Sequence, residues 1–189
     1  NMGRIQAISD DAGAKIVLSV SEVTDRSQGL LDEAPHLKES TWLATDDISD
    51  ELAASWKEQS PQEKDLAVLQ YTSGSTGMPK GMLHAHRIIH AYLPTLTMVF
   101  NLELDLPDQI FWSPADWAWV GGLLDLALPA WQSGQTVIAS QHRFSAEWAF
   151  EFMSRHKVTH SFMTPTALKR LAEISSPRER WPLKLRVVC

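Results

Sequence analysis

The chain has 189 residues and a formal net charge of −6, with 44% hydrophobic and 21% charged residues. These values fit one ordinary domain, or a piece of a larger protein, and exclude wholesale disorder. An acidic chain lacks the basic surface that a nucleic-acid duplex requires, so we expect no nucleic-acid partner.

Cysteine content and apolar stretches limit the location of the protein. The one cysteine, Cys189, excludes an internal disulfide and a cysteine-based zinc site, and it fits a reducing cytoplasm. Residues 1–10 lack the basic and apolar pattern of a secretory signal. The longest apolar stretch, residues 117–131, is broken by Asp125 and is shorter than the roughly 18 residues of a membrane span. We therefore expect a cytoplasmic protein without membrane insertion.

Short apolar runs alternate with helical patterns along the chain. Near-continuous runs of Val, Ile and Leu predict strands that are buried on both faces, at residues 15–19, 66–71, 109–112, 136–139, 159–163 and 185–188. Helices are predicted at residues 86–100, 117–131, 145–156 and 164–173. This alternation is typical of an α/β fold with a mostly parallel sheet and flanking helices.

Four residues predict helix ends. Ser145 is expected to cap the helix that follows it, and Pro165 is expected in the first turn of the next helix, where its missing N–H costs little. Gly134 is a candidate C-terminal cap. Asp116 is expected to cap a helix that begins near Trp117.

The segment Tyr71–Gly81, with the sequence YTSGSTGMPKG, carries the clearest chemical signal. Its glycines allow close approach of the backbone to a ligand, and its hydroxyl groups and successive N–H groups can surround an anion. Lys80 adds a flexible positive charge that suits phosphate. A loop of this composition after an apolar strand predicts a polyphosphate site.

Two common nucleotide loops do not fit this segment. The nucleotide P-loop requires Ser or Thr after a Gly-Lys pair, whereas Met78 follows Gly77 here and Gly81 follows Lys80. The dinucleotide fingerprint requires a Gly-x-Gly pair, which Gly74-Ser75-Thr76-Gly77 lacks. A flexible surface loop is the structural alternative.

Tyr71–Gly81 resembles, throughout its length, the signature of the adenylate-forming superfamily, which contains acyl-CoA synthetases, luciferases and peptide-synthetase adenylation domains. Residues 82–86 (MLHAH) and 162–167 (FMTPTA) are similar to further family segments. Residues 113–122 (SPADWAWVGG) are similar to the second core motif of acetyl- and medium-chain acyl-CoA synthetases.

The resemblance implies an acid–thiol ligase that uses ATP with Mg²⁺ and coenzyme A as the co-substrate. A carboxylic acid would react at the α-phosphorus of ATP, and the thiol of coenzyme A would then displace AMP from the acyl-adenylate. The residues that match the phosphate-binding motif would hold the β- and γ-phosphates, with Lys80 as the catalytic residue: Thr72, Ser73, Gly74, Ser75, Thr76, Gly77 and Lys80.

The second motif would shape the acyl and pantetheine region. Trp117 and Trp119 would supply apolar wall, and Gly121 and Gly122 would let another group approach the helix closely. Packing is the alternative role. For Trp119 a packing role and a pocket role are weighed equally, whereas for Trp112 and Trp131 the packing role is favoured.

The resemblance covers only part of a family catalytic domain. We expect an incomplete piece of the large N-terminal domain over residues 1–189, without the C-terminal domain. Residues 1–65 would form a preceding acidic region, and residues 66–189 the phosphate-loop and acyl-pocket region. The truncated sheet would expose an edge that invites self-association.

Several alternatives stay open at this point. The parent protein is expected to be a ligase and the fragment alone inactive, but a non-catalytic phosphate-binding module or an adenylation domain that charges a carrier protein also fits. The basic residues of 141–189, nine Lys or Arg against four Glu, are interpreted as a solvated face or as a surface for a polyanion. His84, His86 and His90 suggest a metal site, but neither a nearby cysteine nor a His-Glu-x-x-His pattern completes one, so we expect no metal ligands.

Overall fold

The computed structural model describes residues 2–27, 29, 31, 34–73 and 79–189. The chain divides into two compact units, Asn1–His86 and Arg87–Cys189. Within the described residues, no helix is both long and apolar enough to cross a bilayer.

The first unit contains short strands in two separate pairs. Strands β1 and β2 pair in parallel, whereas β3 and β4 form an antiparallel hairpin. The described elements of this unit, in chain order, are α1 (Met2–Ala12), β1 (Ile16–Ser19), α2 (Ser21–Ser27), α3 (Pro35–Glu39), β2 (Thr41–Ala44), a 3₁₀ helix (Asp50–Ser55), β3 (Leu66–Ser73) and β4 (Pro79–Ala85).

The prediction that all strands are buried on both faces is wrong for β1 and β3. Ile16 and Leu18 of β1 are 58% and 65% exposed, and Leu66 of β3 is 49% exposed. Each of these strands has a single partner strand among the described residues. Their apolar side chains therefore lie on narrow, partly covered sheets rather than between two layers of helices.

The second unit is a parallel α/β layer structure. Its strands run in the order β6-β5-β7-β8 and all pair in parallel, so the predicted mostly parallel sheet with flanking helices is confirmed here. Its elements are α4 (Arg87–Val99), β5 (Ile110–Trp112), α5 (Val120–Gly122), a π-helical turn (Leu123–Ala127), α6 (Leu128–Gln132), β6 (Thr136–Val137), α7 (Ala146–Arg155), β7 (His160–Ser161), α8 (Pro165–Ala172), α9 (Pro177–Arg180) and β8 (Val187–Val188).

Adjacent residues of β5 point to opposite faces of this sheet and pack in different apolar clusters. Phe111 is fully buried with Phe100, Leu104 and Leu126 on one face. Trp112 is buried in the cluster of α7 and α8 on the other face. The packing role favoured for Trp112 is therefore confirmed, whereas Trp131 is 44% exposed.

Most predicted helix ends agree with the structure. The Ser145 side chain accepts a hydrogen bond from the N–H of Trp148, and Gly134 adopts the left-handed conformation with φ +70°. Pro165 lies in the first turn of α8.

The predicted start of the helix near Trp117 is wrong. The helix begins at Val120, and Oδ1 of Asp116 accepts a hydrogen bond from the N–H of Ala118 at 2.9 Å. The carbonyl oxygen of Asp116 also accepts a hydrogen bond from the N–H of Trp119 at 3.0 Å. Both hydrogen bonds of Asp116 therefore close a local turn before the helix, and neither caps the helix itself.

Candidate functional site

The β3–β4 hairpin carries the two ends of the glycine-rich motif. In its register Thr72 pairs with Lys80 and Ser73 pairs with Pro79. Four of the predicted phosphate-binding residues lie outside the described residues: Gly74, Ser75, Thr76 and Gly77. The hairpin therefore brings Thr72 and Lys80 side by side, close to the ends of the two strands that flank residues 74–78.

Thr72 and Lys80 share one face of the hairpin, because directly paired residues project their side chains to the same side. Both are exposed to solvent. His84 lies on the same face, nearly buried, with Nε2 3.2 Å from Oε1 of Gln70. The cation of Lys80 is thus available to a ligand.

The opposite face of the hairpin carries Tyr71 and Gly81, which are also register partners. A Cβ atom on Gly81 would lie 3.1 Å from Cζ of Tyr71, so the tyrosine ring covers the glycine. The Tyr71 hydroxyl donates a hydrogen bond to Oδ2 of Asp11 in α1 at 2.6 Å. This hydrogen bond is the main reason that the pKa of Tyr71 is raised above its ordinary value.

Protein groups closely approach the two glycines of the second motif. A Cβ atom on Gly121 would lie 2.3 Å from Cε1 of Phe162. A Cβ atom on Gly122 would lie 2.6 Å from the carbonyl oxygen of Asp116 and 2.8 Å from that of Ala115. At both glycines a protein group therefore lies where a side chain would be.

The two tryptophans of the motif lie in different surroundings. Trp117 is 39% exposed and meets Trp131 edge to face, with ring centroids 5.2 Å apart. Trp119 is 70% exposed. An exposed indole of this kind is free to contact a ligand, whereas Trp117 is partly fixed by its neighbour.

A cavity of about 430 Å³ lies at the carboxyl ends of β5 and β6, and sequence reasoning missed the part of its lining that follows β6 and lies on α7. Trp117 lines it, together with the last residue of β5, residues that follow β5 and β6, and one residue of α7: Trp112, Ser113, Pro114, Ala115, Asp116, Ala139, Ser140, Gln141, His142, Phe144 and Trp148. Its position is the one where parallel α/β sheets bind ligands, which is the signal that could have predicted it.

Aromatic rings dominate one wall of this cavity. The His142 ring stacks on Trp148 with centroids 4.6 Å apart and an interplanar angle of 12°. Trp148 in turn meets Trp112 edge to face at 5.9 Å. Such a wall suits a flat or apolar group, with the exposed carboxylate of Asp116 and the polar residues of the 140–142 turn at its side.

The three histidines that suggested metal binding lie in different places. His84 is in β4, His86 follows that strand, and His90 lies in α4, where its Nδ1 is 2.7 Å from Nε2 of Gln132. The described residues contain no group of three His, Cys, Asp or Glu side chains that could hold a metal ion.

Sequence reasoning also missed a buried polar cluster in the second unit. His160 has no solvent exposure, and its Nε2 lies 3.3 Å from Oε2 of Glu103. The same carboxylate oxygen accepts a hydrogen bond from Nε of Arg186 at 2.7 Å. These groups come from distant parts of the chain, so no spacing in the sequence indicates them.

The sequence comparisons agree with the motif. A family model described as AMP-binding enzyme matches residues 2–189. An acetyl-coenzyme A synthetase of Bacillus subtilis is 29% identical over 180 residues, which are 89% of this chain and 31% of that protein. An acetyl-coenzyme A synthetase of Mesorhizobium japonicum is 34% identical over 134 residues, which are 65% of this chain and 19% of that protein. The chain thus spans less than a third of the length of these relatives.

Solved structures show the same fold. The fatty acyl-adenylate ligase of L. pneumophila, in complex with acyl adenylate and pyrophosphate, has a TM-score of 0.82 at 22% identity and matches 99% of this chain and 32% of its own. ATP-bound MatB from Rhodopseudomonas palustris has a TM-score of 0.72 at 20% identity, over 100% of this chain and 37% of its own. McyG A-PCP complexed with phenylalanyl-adenylate has a TM-score of 0.78 at 22% identity, over 98% of this chain and 30% of its own.

The resemblance carried by Tyr71–Gly81 is therefore confirmed along almost the whole chain, in sequence and in fold. With a family model that matches residues 2–189, the chain belongs to the AMP-binding enzyme family.

Proposed function

We propose that the protein containing this chain is an ATP-dependent acyl-CoA ligase, and that this chain supplies its phosphate-binding hairpin. A carboxylate oxygen of the acid attacks the α-phosphorus of ATP, which enters with Mg²⁺, and the bond to the bridging oxygen of pyrophosphate breaks. The thiol of coenzyme A then loses its proton and attacks the acyl carbon, and AMP leaves. The products are a thioester, AMP and pyrophosphate.

The observation that carries this proposal is the pairing of Thr72 with Lys80 at the end of the hairpin that is next to residues 74–78. Negative charge grows on pyrophosphate as it leaves, and a fixed cation beside backbone N–H groups stabilises that charge. Lys80 is exposed and has a hydroxyl residue as its direct neighbour across the strands. Four motif residues between them are assigned to the β- and γ-phosphates by the family resemblance: Gly74, Ser75, Thr76 and Gly77.

The acid and the pantetheine arm are proposed to bind near the second motif. Trp117 lines the cavity at the carboxyl ends of β5 and β6. Trp119, two residues after Trp117 in the sequence, has an exposed indole. Gly121 and Gly122 belong to the same assignment through the resemblance, as positions where the backbone is closely approached. An aromatic, half-polar cavity fits a small organic acid better than it fits a polyanion.

Coenzyme A is proposed as the thiol acceptor in preference to a carrier protein. The relatives with 29% and 34% identity are named acetyl-coenzyme A synthetases, which supports this choice. The carrier-protein alternative rests on likeness of fold to McyG A-PCP at 22% identity. A non-catalytic phosphate-binding module is the remaining alternative, and it differs by the absence of turnover.

The test is acid-dependent exchange of pyrophosphate into ATP by the full-length protein that contains this chain, over a series of carboxylic acids. We expect exchange with a subset of acids, followed by thioester formation when coenzyme A is added. Exchange without thioester formation would favour the carrier-protein alternative. Absence of exchange with every acid would contradict the ligase and favour the phosphate-binding module.

A further inference from the structure

The two faces of the β3–β4 hairpin have different neighbours. Thr72 and Lys80, which pair directly, project to one side, and the preceding pair, Tyr71 and Gly81, projects to the other. Asp11 of α1 contacts the second side through the Tyr71 hydroxyl. Helix α1 therefore supports the hairpin from behind, immediately next to the pair that flanks the glycine-rich loop.

The contact is built from three elements. The Tyr71 ring extends from β3 across to β4 and lies over Gly81. A Cβ atom on Gly81 would lie 3.1 Å from Cζ of Tyr71 and 3.3 Å from its hydroxyl oxygen. Its hydroxyl then reaches Oδ2 of Asp11 at 2.6 Å. The tyrosine thus joins β3, β4 and α1, and the bond at its end is shortened by the charge of the carboxylate.

Two apolar side chains of the hairpin are largely exposed to solvent. Leu83, which follows on the same face of β4, is 74% exposed, and Leu66 at the start of β3 is 49% exposed. Tyr71 itself is half-buried. Next to the glycine-rich motif, α1 therefore contacts this face through a directional hydrogen bond between Asp11 and Tyr71.

We propose that Asp11 is a positioning residue for the phosphate site, acting through Tyr71 and Gly81 on the neighbouring pair of Thr72 and Lys80. This inference rests on the proposed function, since the ligand of the hairpin is the polyphosphate of ATP. Asp11 does not touch the ligand. It limits the displacement of the hairpin, and with it the positions of the Lys80 cation and the Thr72 hydroxyl.

The experiment compares Asp11→Ala, Asp11→Asn and Tyr71→Phe with the matched control Asp10→Ala in the full-length protein. Asp10 lies next to Asp11 in α1, carries the same charge and instead contacts Gln6 and His36. We expect Asp11→Ala and Tyr71→Phe each to raise the KM for ATP in pyrophosphate exchange about three- to tenfold, as expected for one lost charge-assisted hydrogen bond. The KM for the acid should stay unchanged in these variants, and Asp10→Ala should leave the KM for ATP unchanged as well.

Two further results separate positioning from a structural role. Asp11→Asn keeps an acceptor oxygen, so it should restore most of the affinity for ATP. The double variant Asp11→Ala/Tyr71→Phe should be no worse than either single variant, because both remove the same bond. A KM for ATP that is unchanged in Asp11→Ala, or a rise in both KM values that follows a loss of stability, would overturn the inference.

A second readout keeps the inference independent of turnover. Binding of inorganic tripolyphosphate to the same proteins is measured by calorimetry, and we expect it to weaken in Asp11→Ala but not in Asp10→Ala. A protein that binds tripolyphosphate in this Asp11-dependent way but exchanges with no acid would overturn the proposed function and retain the inference. A protein that neither exchanges nor binds tripolyphosphate overturns both.

Discussion

The imidazole Nε2 of His160 lies 3.3 Å from Oε2 of Glu103, and His160 is completely buried. The ring stacks on Phe111 with centroids 4.6 Å apart, and Phe100 meets its edge at 6.0 Å. Burial lowers the pKa of His160, and the nearby carboxylate of Glu103 opposes that shift only in part. The folded protein therefore keeps this histidine neutral at a pH where an unfolded chain takes up a proton.

Acidification should therefore destabilise the second unit through His160. The folded pKa lies below the unfolded value of about 6.5, so the contribution of His160 to stability is fully present above that pH. It is lost as the pH falls through the folded pKa. We predict that the melting temperature of the 189-residue chain decreases on acidification from neutral pH, before most carboxylates titrate.

The variant His160→Phe should reduce this pH dependence, because a phenyl ring fits between Phe100 and Phe111 and takes up no proton. The control His142→Gln replaces an exposed histidine and should keep the pH dependence of the melting temperature. Melting temperatures that vary equally with pH in both variants would contradict the assignment to His160.

Gly122 should be intolerant of a side chain. A Cβ atom there meets two backbone carbonyl oxygens, at 2.6 Å and 2.8 Å, and these cannot rotate away. We predict that Gly122→Ala lowers the free energy of unfolding by about 1–3 kcal/mol, as overpacking does. Gly134→Ala is the control for backbone strain alone, because nothing lies within 4 Å of its Cβ position and its φ is +70°. Urea denaturation measures both, and an equal loss in the two variants would contradict the steric explanation.

The variant Trp119→Ala distinguishes a role of Trp119 in ligand contact from a role in packing. Because its side chain is 70% exposed, Trp119→Ala should change the free energy of unfolding by no more than about 0.5 kcal/mol. If the indole contacts the acid, the same variant raises the KM for the acid in pyrophosphate exchange and leaves the KM for ATP unchanged. Trp112→Ala is the packing control, and it should destabilise the chain by about 3–5 kcal/mol. An unchanged KM for the acid in Trp119→Ala would remove the pocket role.

Lys80 should matter for catalysis and not for folding. Its side chain is exposed, so Lys80→Ala should leave the melting temperature unchanged. Pyrophosphate exchange in the full-length protein should decrease by about 10²-fold, the typical effect of removing one group that stabilises developing charge. Lys64→Ala removes another exposed lysine just before β3 and should retain full exchange. Equal rates in the two variants would exclude the phosphate role.

The sequence predicted the elements whose signals are local. All six apolar runs became strands, because continuous Val, Ile and Leu favour extended backbone wherever a partner strand is available. Strands β2 and β4 were missed. β4 begins at Pro79 and contains Gly81, two residues that disfavour strands when they are judged singly, and it forms because β3 pairs with it across the hairpin.

The part of the candidate site that is a contiguous motif could be predicted from the sequence. The contacts between residues that are far apart in the chain could not. Lys80 and Thr72 are candidates because their spacing within Tyr71–Gly81 is itself the signal, and their phosphate role stays a prediction. The contact of Asp11 with Tyr71 and the approach of Phe162 to Gly121 join residues far apart in the chain. Such contacts depend on how the strands and helices pack, which no short pattern encodes.

The adjacent side chains of Phe111 and Trp112 belong to different apolar clusters on the two faces of one sheet. Neither cluster can lose its packing without moving the strand on which the other depends. The second unit should therefore melt in a single cooperative step, with amide protons on both sides of β5 exchanging through the same global opening.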